Sequence, residues 1–430
     1  MKMKRQVITI GLLTVVQMGM TAQTSSQSDS LSLKNDVYKE ESGFFQKAYR
    51  DASDPTFMFT DNKGEFSFGV GGTVVASTCY DFKGSIDSYL FNTSSISVPT
   101  DPSNHLGFTG SGSNIYLKAR TNKAKLKISA YLELMGLEAS YSDAVMLSKA
   151  YVSIGRFSIG KTYSFFTDLE AGVRTVDLRG PNTQVVYTHP LIGYSQNVGN
   201  HFSFGVALEQ PSEISSYYKS TAQVSADYNR LPDVAARLKY RGKLGHIQVA
   251  GMYRELSYWA SNTGFEIGQG KTFYKNGYGV SVSGTLRPFK GLTLSGQAIY
   301  GKGIGTYIQD LTYLSVNLLQ EDALTSEGYT VLTPTPAYGG YLGASYSITD
   351  RLEASALYGL CYLDKKDDQY AANSFKRSRY ATVSLFYFVS RSCLAGFEYA
   401  TGKKQVYTTS ASEASEGVAN RLSACFIYRF

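Results

Sequence analysis

The chain has 430 residues, of which only 18% are charged, with 41 Gly, 34 Tyr, 23 Phe and one Trp. A formal charge of +7 is too mild to imply a nucleic-acid partner, and 430 residues at a mean hydropathy of −0.18 would suit two or three soluble domains. The same mean arises when outward apolar and inward polar residues alternate along every strand, and the surplus of Tyr and Gly fits that alternative, because Tyr anchors at membrane interfaces and Gly suits crowded, bent strands.

Residues 1–22 read as a secretory signal. Lys2, Lys4 and Arg5 form a basic start, Val7 to Val16 is mostly apolar, and Thr21-Ala22 offers a small-residue cleavage site before Gln23. The apolar run is too short to cross a bilayer as a helix. Its removal takes away three basic residues and lowers the formal charge from +7 to +4. Residues 23–60 begin polar, then place Leu33, Val37, Phe44 and Ala48 at near-helical spacing, so a periplasmic lead-in with a short helix is expected there. The barrel is expected to occupy 61–430.

From Glu65 the period changes to two. Phe66, Phe68, Val70, Val74 and Ala76 alternate with Ser67, Gly69, Gly71, Thr73 and Val75, which predicts a strand longer than the roughly 10 residues that cross lipid. Ile115, Leu117 and Ala119 alternate with Tyr116, Lys118 and Arg120, and after the Thr121-Asn122-Lys123 turn the rhythm resumes at Leu126 and Ile128. Further strands are expected at 145–155, 156–164, 183–194, 200–210, 231–241, 245–255, 276–287, 291–301, 338–348, 351–361, 378–388, 391–400 and 420–430. The last of these places Leu422, Ala424, Phe426, Tyr428 and the terminal Phe430 on one face, as a lipid-facing closing strand requires.

The connections alternate in length. Short turns fall at 121–124, 155–157, 195–199, 241–245, 287–291, 348–351 and 388–392, with long segments at 81–112, 137–144, 165–182, 211–230, 256–275, 302–337, 362–377 and 401–419. Short periplasmic turns opposite long outer loops define an all-β transmembrane antiparallel barrel of about 16 strands in the outer membrane. Lipid offers no partner to a free N–H or C=O, so the sheet must close on itself. A barrel of that size is expected to hold a water-filled lumen.

With apolar positions facing lipid, the inward set includes Lys118, Arg120, Lys125, Lys127, Lys149, Arg237 and Lys239, against the acids Glu133, Asp233 and Glu353. Cations in a lumen lower the energy of anions in transit. Arg120, Lys125, Lys127 and Lys239 lie near short turns, where facing periplasmic water is the competing reading, and alternation from Phe157 and Ile159 places Lys161 outward. The segment 165–182 mixes apolar residues that need burial with charges that need partners. A loop folded into the lumen satisfies both, and would line a constriction with Asp168, Glu170, Arg174, Asp177 and Arg179; an ordinary outer loop with local ion pairs is the alternative.

Ile159-Gly-Lys-Thr-Tyr-Ser-Phe-Phe-Thr-Asp168, then Val176-Asp-Leu-Arg-Gly-Pro-Asn182 and Val185-Val-Tyr, resemble the DcaP-like trimeric porins, as do Leu106-Gly-Phe108, Gly301-Lys-Gly-Ile-Gly-Thr-Tyr-Ile308, Gly339-Gly-Tyr-Leu-Gly343, Ala419-Asn-Arg421 and Tyr428-Arg-Phe430. These stretches run in order over 65–430. The resemblance implies a sixteen-stranded trimeric outer-membrane channel for small hydrophilic solutes, with basic residues near the constriction and a preference for small anions such as dicarboxylates. Lys161 and Tyr163 stand where that family has Gln and Trp, and residues 23–60 hold no sustained heptad of the kind its periplasmic coiled coil requires.

No cofactor is expected. Cys79, Cys361, Cys393 and Cys425 lie on separate strands without metal spacing and are read as unpaired small core residues, a disulfide between strands staying open. His105, His189, His201 and His246 are scattered, no local serine motif suggests a triad, and Gly301-Lys-Gly-Ile-Gly305 lacks the Gly-Lys-Ser/Thr of a phosphate loop. Two readings compete with the diffusion channel: a surface barrel whose long loops bind a partner, and an outer-membrane hydrolase.

Overall fold

The computed structural model describes residues 57–430 apart from 85, 87–89, 124, 140–141, 212–223, 263–269, 313, 315, 365–373 and 409–412. The expected signal at 1–22 and most of the lead-in therefore lie outside the described residues. The near-helical spacing from Leu33 to Ala48 falls outside them as well; the last residues of the lead-in, Phe57–Thr60, form a strand and pair antiparallel with Ser67–Val70.

Sixteen strands close into an antiparallel barrel. They are β1 Phe66–Lys83, β2 Asn114–Thr121, β3 Ile128–Ala139, β4 Ser142–Ile154, β5 Phe157–Tyr163, β6 Thr188–Val198, β7 Phe202–Glu209, β8 Asp233–Gly242, β9 Gly245–Ser261, β10 Gly270–Leu286, β11 Leu292–Lys302, β12 Pro336–Ser347, β13 Leu352–Leu363, β14 Phe375–Phe388, β15 Cys393–Val406 and β16 Glu416–Arg429. Each pairs with its neighbour in sequence, and β16 closes the ring on β1 from Thr73↔Arg429 to Lys83↔Asn420. At the seam Phe430 and Gly72 exchange both backbone hydrogen bonds, 3.1 and 3.0 Å. A Cβ on Gly72 would stand 2.5 Å from the Phe430 ring, so the terminal aromatic needs glycine opposite it.

The alternation read from sequence sets the two faces. On β14, Val383, Leu385 and Tyr387 are exposed to the outside, whereas Ser378, Tyr380, Thr382, Ser384 and Phe386 are buried inside. On β16, Leu422, Phe426 and Tyr428 face out, and Arg421, Cys425 and Ile427 face in. None of the four cysteines is in a disulfide.

Four expectations change. The segment 137–144 is no long loop: β3 and β4 continue to Ala139 and from Ser142. β9 and β10 stay paired up to Ser261↔Gly270, which shortens the expected loop 256–275 to a tip. The strand expected at 183–194 is β6, from Thr188; residues 183–187 belong to the preceding loop, with Val185 buried and bridged to Ile308. Finally, the lumen is not uniformly wet. Ala207, Ala235, Ala250, Met252, Ile299, Ala337 and Cys361 interrupt the polar inward face and form one cluster with Phe165, Phe166, Ile304, Tyr307, Ile308 and Leu311 from two interior loops.

Candidate functional site: interior loops and the lumen wall

The loop between β5 and β6 leaves the long-loop rim for the interior. Its neck is closed by the Ser164 N–H on the Tyr187 carbonyl, 3.0 Å. Glu209 then holds its first turn, accepting from the Ser164 hydroxyl and the Phe165 N–H at 2.8 Å each, with His189 Nε2 at 2.9 Å. Phe165 lies over Gly193 and Gly205 of the wall; a Cβ there would meet the ring at 2.5 and 2.9 Å. Burying an aromatic of that size is worth about 1.5–3 kcal/mol, which draws the loop inward.

A short 3-10 turn, Leu169–Ala171, carries the loop to the turn-side halves of β8, β9 and β10. Asp168 accepts from Ser283 Oγ at 2.7 Å and stands 2.8 Å from His246 Nε2 and 3.4 Å from Lys239 Nζ. Glu170 joins Arg241 at 2.7 Å and Lys239 at 3.5 Å. Burial alone would raise the Asp168 carboxyl, but Lys239, His246 and Ser283 together hold it well below the usual carboxylate range. The chain then crosses to the opposite wall. Arg174 binds Glu353 at 2.6 Å and stacks near Phe388 and Phe386. Glu398 accepts from the Val176 and Asp177 N–H groups, and Tyr380 donates to Asp177 at 2.7 Å.

Two other long connections enter the lumen and meet this loop. From the β1–β2 connection, the Phe91 N–H donates to Asp177 at 3.1 Å. From the β11–β12 connection, Gln309 and Asp310 donate their N–H groups to the Gln184 and Asn182 carbonyls, and Arg179 donates to the Gln309 carbonyl at 3.1 Å. The carboxylate of Asp310 accepts from the hydroxyls of Thr93 and Ser378, which ties all three connections to β14. Burial raises the Asp310 carboxyl, and those hydroxyls only partly oppose it.

Asp168, Glu170, Arg174, Asp177 and Arg179 are all inside the barrel. Asp168, Asp177 and Arg179 are buried in the loop's attachments, while Glu170 and Arg174 stay partly exposed. On the walls Lys118, Arg120 and Arg237 are also partly exposed, Arg237 lying 4.4 Å over the Phe165 ring. Lys149 faces inward but is buried against Glu133 at 3.0 Å. Lys125 and Lys127 are exposed on the short turn and do not line the lumen. Lys239 is no rim lysine, because the loop descends far enough to bury it. Asp233 is buried against Arg254 at 3.2 Å. Glu209, His246 and Asp310 were not singled out as site residues; their inward parity was readable, but their partners lie on strands and loops distant in sequence.

A closed sixteen-stranded barrel with an interior loop crossing from wall to wall defines a channel-forming protein of the outer membrane. Residues 89–384 match the family described as the Porin subfamily, and the chain belongs to it. The fold is similar to that of the outer membrane channel DcaP of Acinetobacter baumannii, with a TM-score of 0.69 at 16% identity over 86% of this chain and 99% of that one. It is also similar to the anion-selective porin from Comamonas acidovorans (TM-score 0.52, 13% identity, 85% and 100% covered) and to the trimer form of OmpT of Vibrio cholerae (0.51, 11%, 85% and 100%). No curated protein matches the chain by sequence. The porin works in the bacterial outer membrane, where its family and fold are those of a channel.

Proposed function

We propose that this porin passes small hydrophilic solutes by passive diffusion and favours anions, dicarboxylates among them. The observation that carries the reading is the charge left partly exposed at the expected lining positions. Lys118, Arg120 and Arg237 remain partly exposed, against Glu170 alone among the acids of that set, while Arg174 and Glu353 offset each other. The other acids are taken up by attachment: Asp168 by Lys239 and His246, Asp177 by Tyr380, Glu133 by Lys149. Lys118 and Arg120 sit two residues apart on one face of β2. That spacing is roughly 7 Å along the backbone, so the two cations stand side by side on the wall. A fold neighbour described as anion-selective supports the same direction.

We further infer a homotrimer, in line with the trimer form of a fold neighbour. An outward concavity of about 940 Å³, lined by Ala76, Phe108, Val145, Ala395 and Ala424 among others, offers small residues and exposed apolar side chains for a neighbouring protomer. Residues 1–22 as signal and 23–60 as lead-in complete the proposed organisation.

The test is solute-driven swelling of liposomes carrying the purified porin. A four-carbon dicarboxylate should enter faster than a diamine of equal size, with a neutral polyol between them. Lys118→Glu with Arg120→Glu should reverse the order of the charged pair. Equal rates for diacid and diamine in the parent protein would end the anion reading while leaving the channel intact.

A further inference from the structure

The lumen-wall cations Lys118, Arg120, Lys149, Arg237 and Lys239 face inward. Others face out, at the long-loop end of β14 and β15. Alternation puts Arg377 and Arg379 on the same outer face as Val383 and Leu385, since their neighbours Ser378 and Tyr380 point inward to Asp310 and Asp177. It likewise puts Lys403 on the outer face with Phe397 and Tyr399. The register sets Arg379 directly opposite Lys403, and Arg377 opposite Gln405. Glu416 pairs with Lys403, and Arg377 donates to Gln405. Arg379 is exposed, with no hydrogen-bond or ion-pair partner among the described residues. Arg377, Arg379 and Lys403, with Glu416 beside them, thus stand among the described residues of an outward-facing surface.

The level below them is aromatic and then apolar. Tyr358 and Tyr399 are exposed on the outer face, and Phe82 stacks on Tyr399 with ring centroids 6.3 Å apart. Such a belt marks the level of lipid headgroups. Starting at Tyr399 and running below it, on the same strands, lies an outward groove of about 570 Å³ walled by Val383, Leu385 and Leu422, which meets the proposed protomer-facing concavity at Phe397 and Ala424. A cationic cluster above the belt with an apolar groove below it has the polarity of an amphiphile whose anionic head is uppermost. Arginine at this height can snorkel to the interface, where a phosphate meets it bidentately.

We propose that the outer face of β13 to β16 is a binding site for a phosphorylated lipid of the outer leaflet. Arg379 and Lys403 hold the phosphate, Arg377 flanks it, and an acyl chain lies in the groove. Inorganic phosphate could meet the same cations but would leave the groove unused, so the groove favours the lipid.

The probe is diphosphorylated lipid A, added to detergent-purified, delipidated porin and counted per chain by native mass spectrometry. The parent protein should retain it, and should bind the enzymatically dephosphorylated form about tenfold more weakly, as the loss of a charge-assisted contact predicts. Arg379→Ser with Lys403→Ser should show a similar loss, whereas Lys290→Ser, which removes a cation at the opposite rim, should bind like the parent. Heat-modifiable gel migration checks that each variant is folded. The comparison of the two lipid forms on the parent protein stands even if the double variant fails to fold. Equal retention of both lipid forms, or of lipid A by the folded double variant, would overturn the proposal. So would full displacement by millimolar inorganic phosphate, which would mark a free-anion site only. Loss of oligomer with unchanged lipid count in the double variant would assign the cations to a protomer contact instead.

Discussion

Two buried aspartates hold the interior of this porin, and they do so by opposite means. Asp168 fastens its loop to the turn-side wall with the Lys239 cation, the His246 ring and the Ser283 hydroxyl. Asp310 joins three interior connections with neutral hydroxyls from Thr93 and Ser378. Burial pushes both carboxyls upward. Only at Asp168 do the adjacent charges reverse the push. The first attachment is therefore an ionic clamp that works only when Asp168 is charged, and the second is a knot of hydrogen bonds that tolerates a proton.

The sharpest way to break this contrast is to remove the clamp altogether. Replacing residues 167–181 by a short Gly-Ser link should raise single-channel conductance severalfold, because the segment crosses the lumen from Asp168 at β9 to Arg174 at β13. Unchanged conductance from an intact barrel would mean that the loop does not limit flow.

Point substitutions come next. Asp168→Ala takes the nearer carboxylate from the buried Lys239, leaving Glu170 at 3.5 Å, and removes the partner of His246 Nε2, and should cost about 3 kcal/mol locally. Limited proteolysis should then cut near Glu170 in the folded barrel. Asp310→Asn keeps an acceptor for both hydroxyls and should cost only about 1 kcal/mol. Equal protease sensitivity of the two variants would erase the distinction drawn above.

The smallest effect separates them by pH. A depressed carboxyl lends stability above its unfolded value and loses it only as pH falls through the depressed value, so the Asp168 clamp should hold through mild acid. A raised carboxyl lends stability below its unfolded value and loses it as pH rises through the raised value, so the Asp310 knot should loosen as pH rises above the ordinary carboxylate range. Hydrogen exchange at the Glu170 and Asp310 N–H groups, corrected for intrinsic rates, reads both. Asp310→Asn should abolish the second trend and leave the first.

Much of this architecture was legible because a lipid-facing strand leaves a period of two. Phe66 to Ala76 and Leu422 to Phe430 declare their faces residue by residue, and the turn lengths declare the two rims. The inward turn of 165–182 was legible for a different reason: its charges and aromatics cannot both be satisfied at a surface. What stayed hidden depends on contacts between distant strands. Lys239 reads equally as an inward or a rim lysine, because nothing local says that Asp168 descends to meet it. Val185 looked like strand because β-branched residues in an interior loop carry the same pattern, and only its bridge to Ile308 separates the two. The apolar interruptions at Ala235, Ala250 and Met252 were visible as letters, but their meaning comes from Phe165 and Ile308 packing in the same cluster.

The most direct measurement is the zero-current potential of the parent porin in a planar bilayer under a tenfold potassium chloride gradient. Open-channel steps with a reversal potential of the sign set by chloride would agree with a lumen whose partly exposed wall charges are Lys118, Arg120 and Arg237 against Glu170. Open-channel steps with the potassium sign would contradict that account of the lumen.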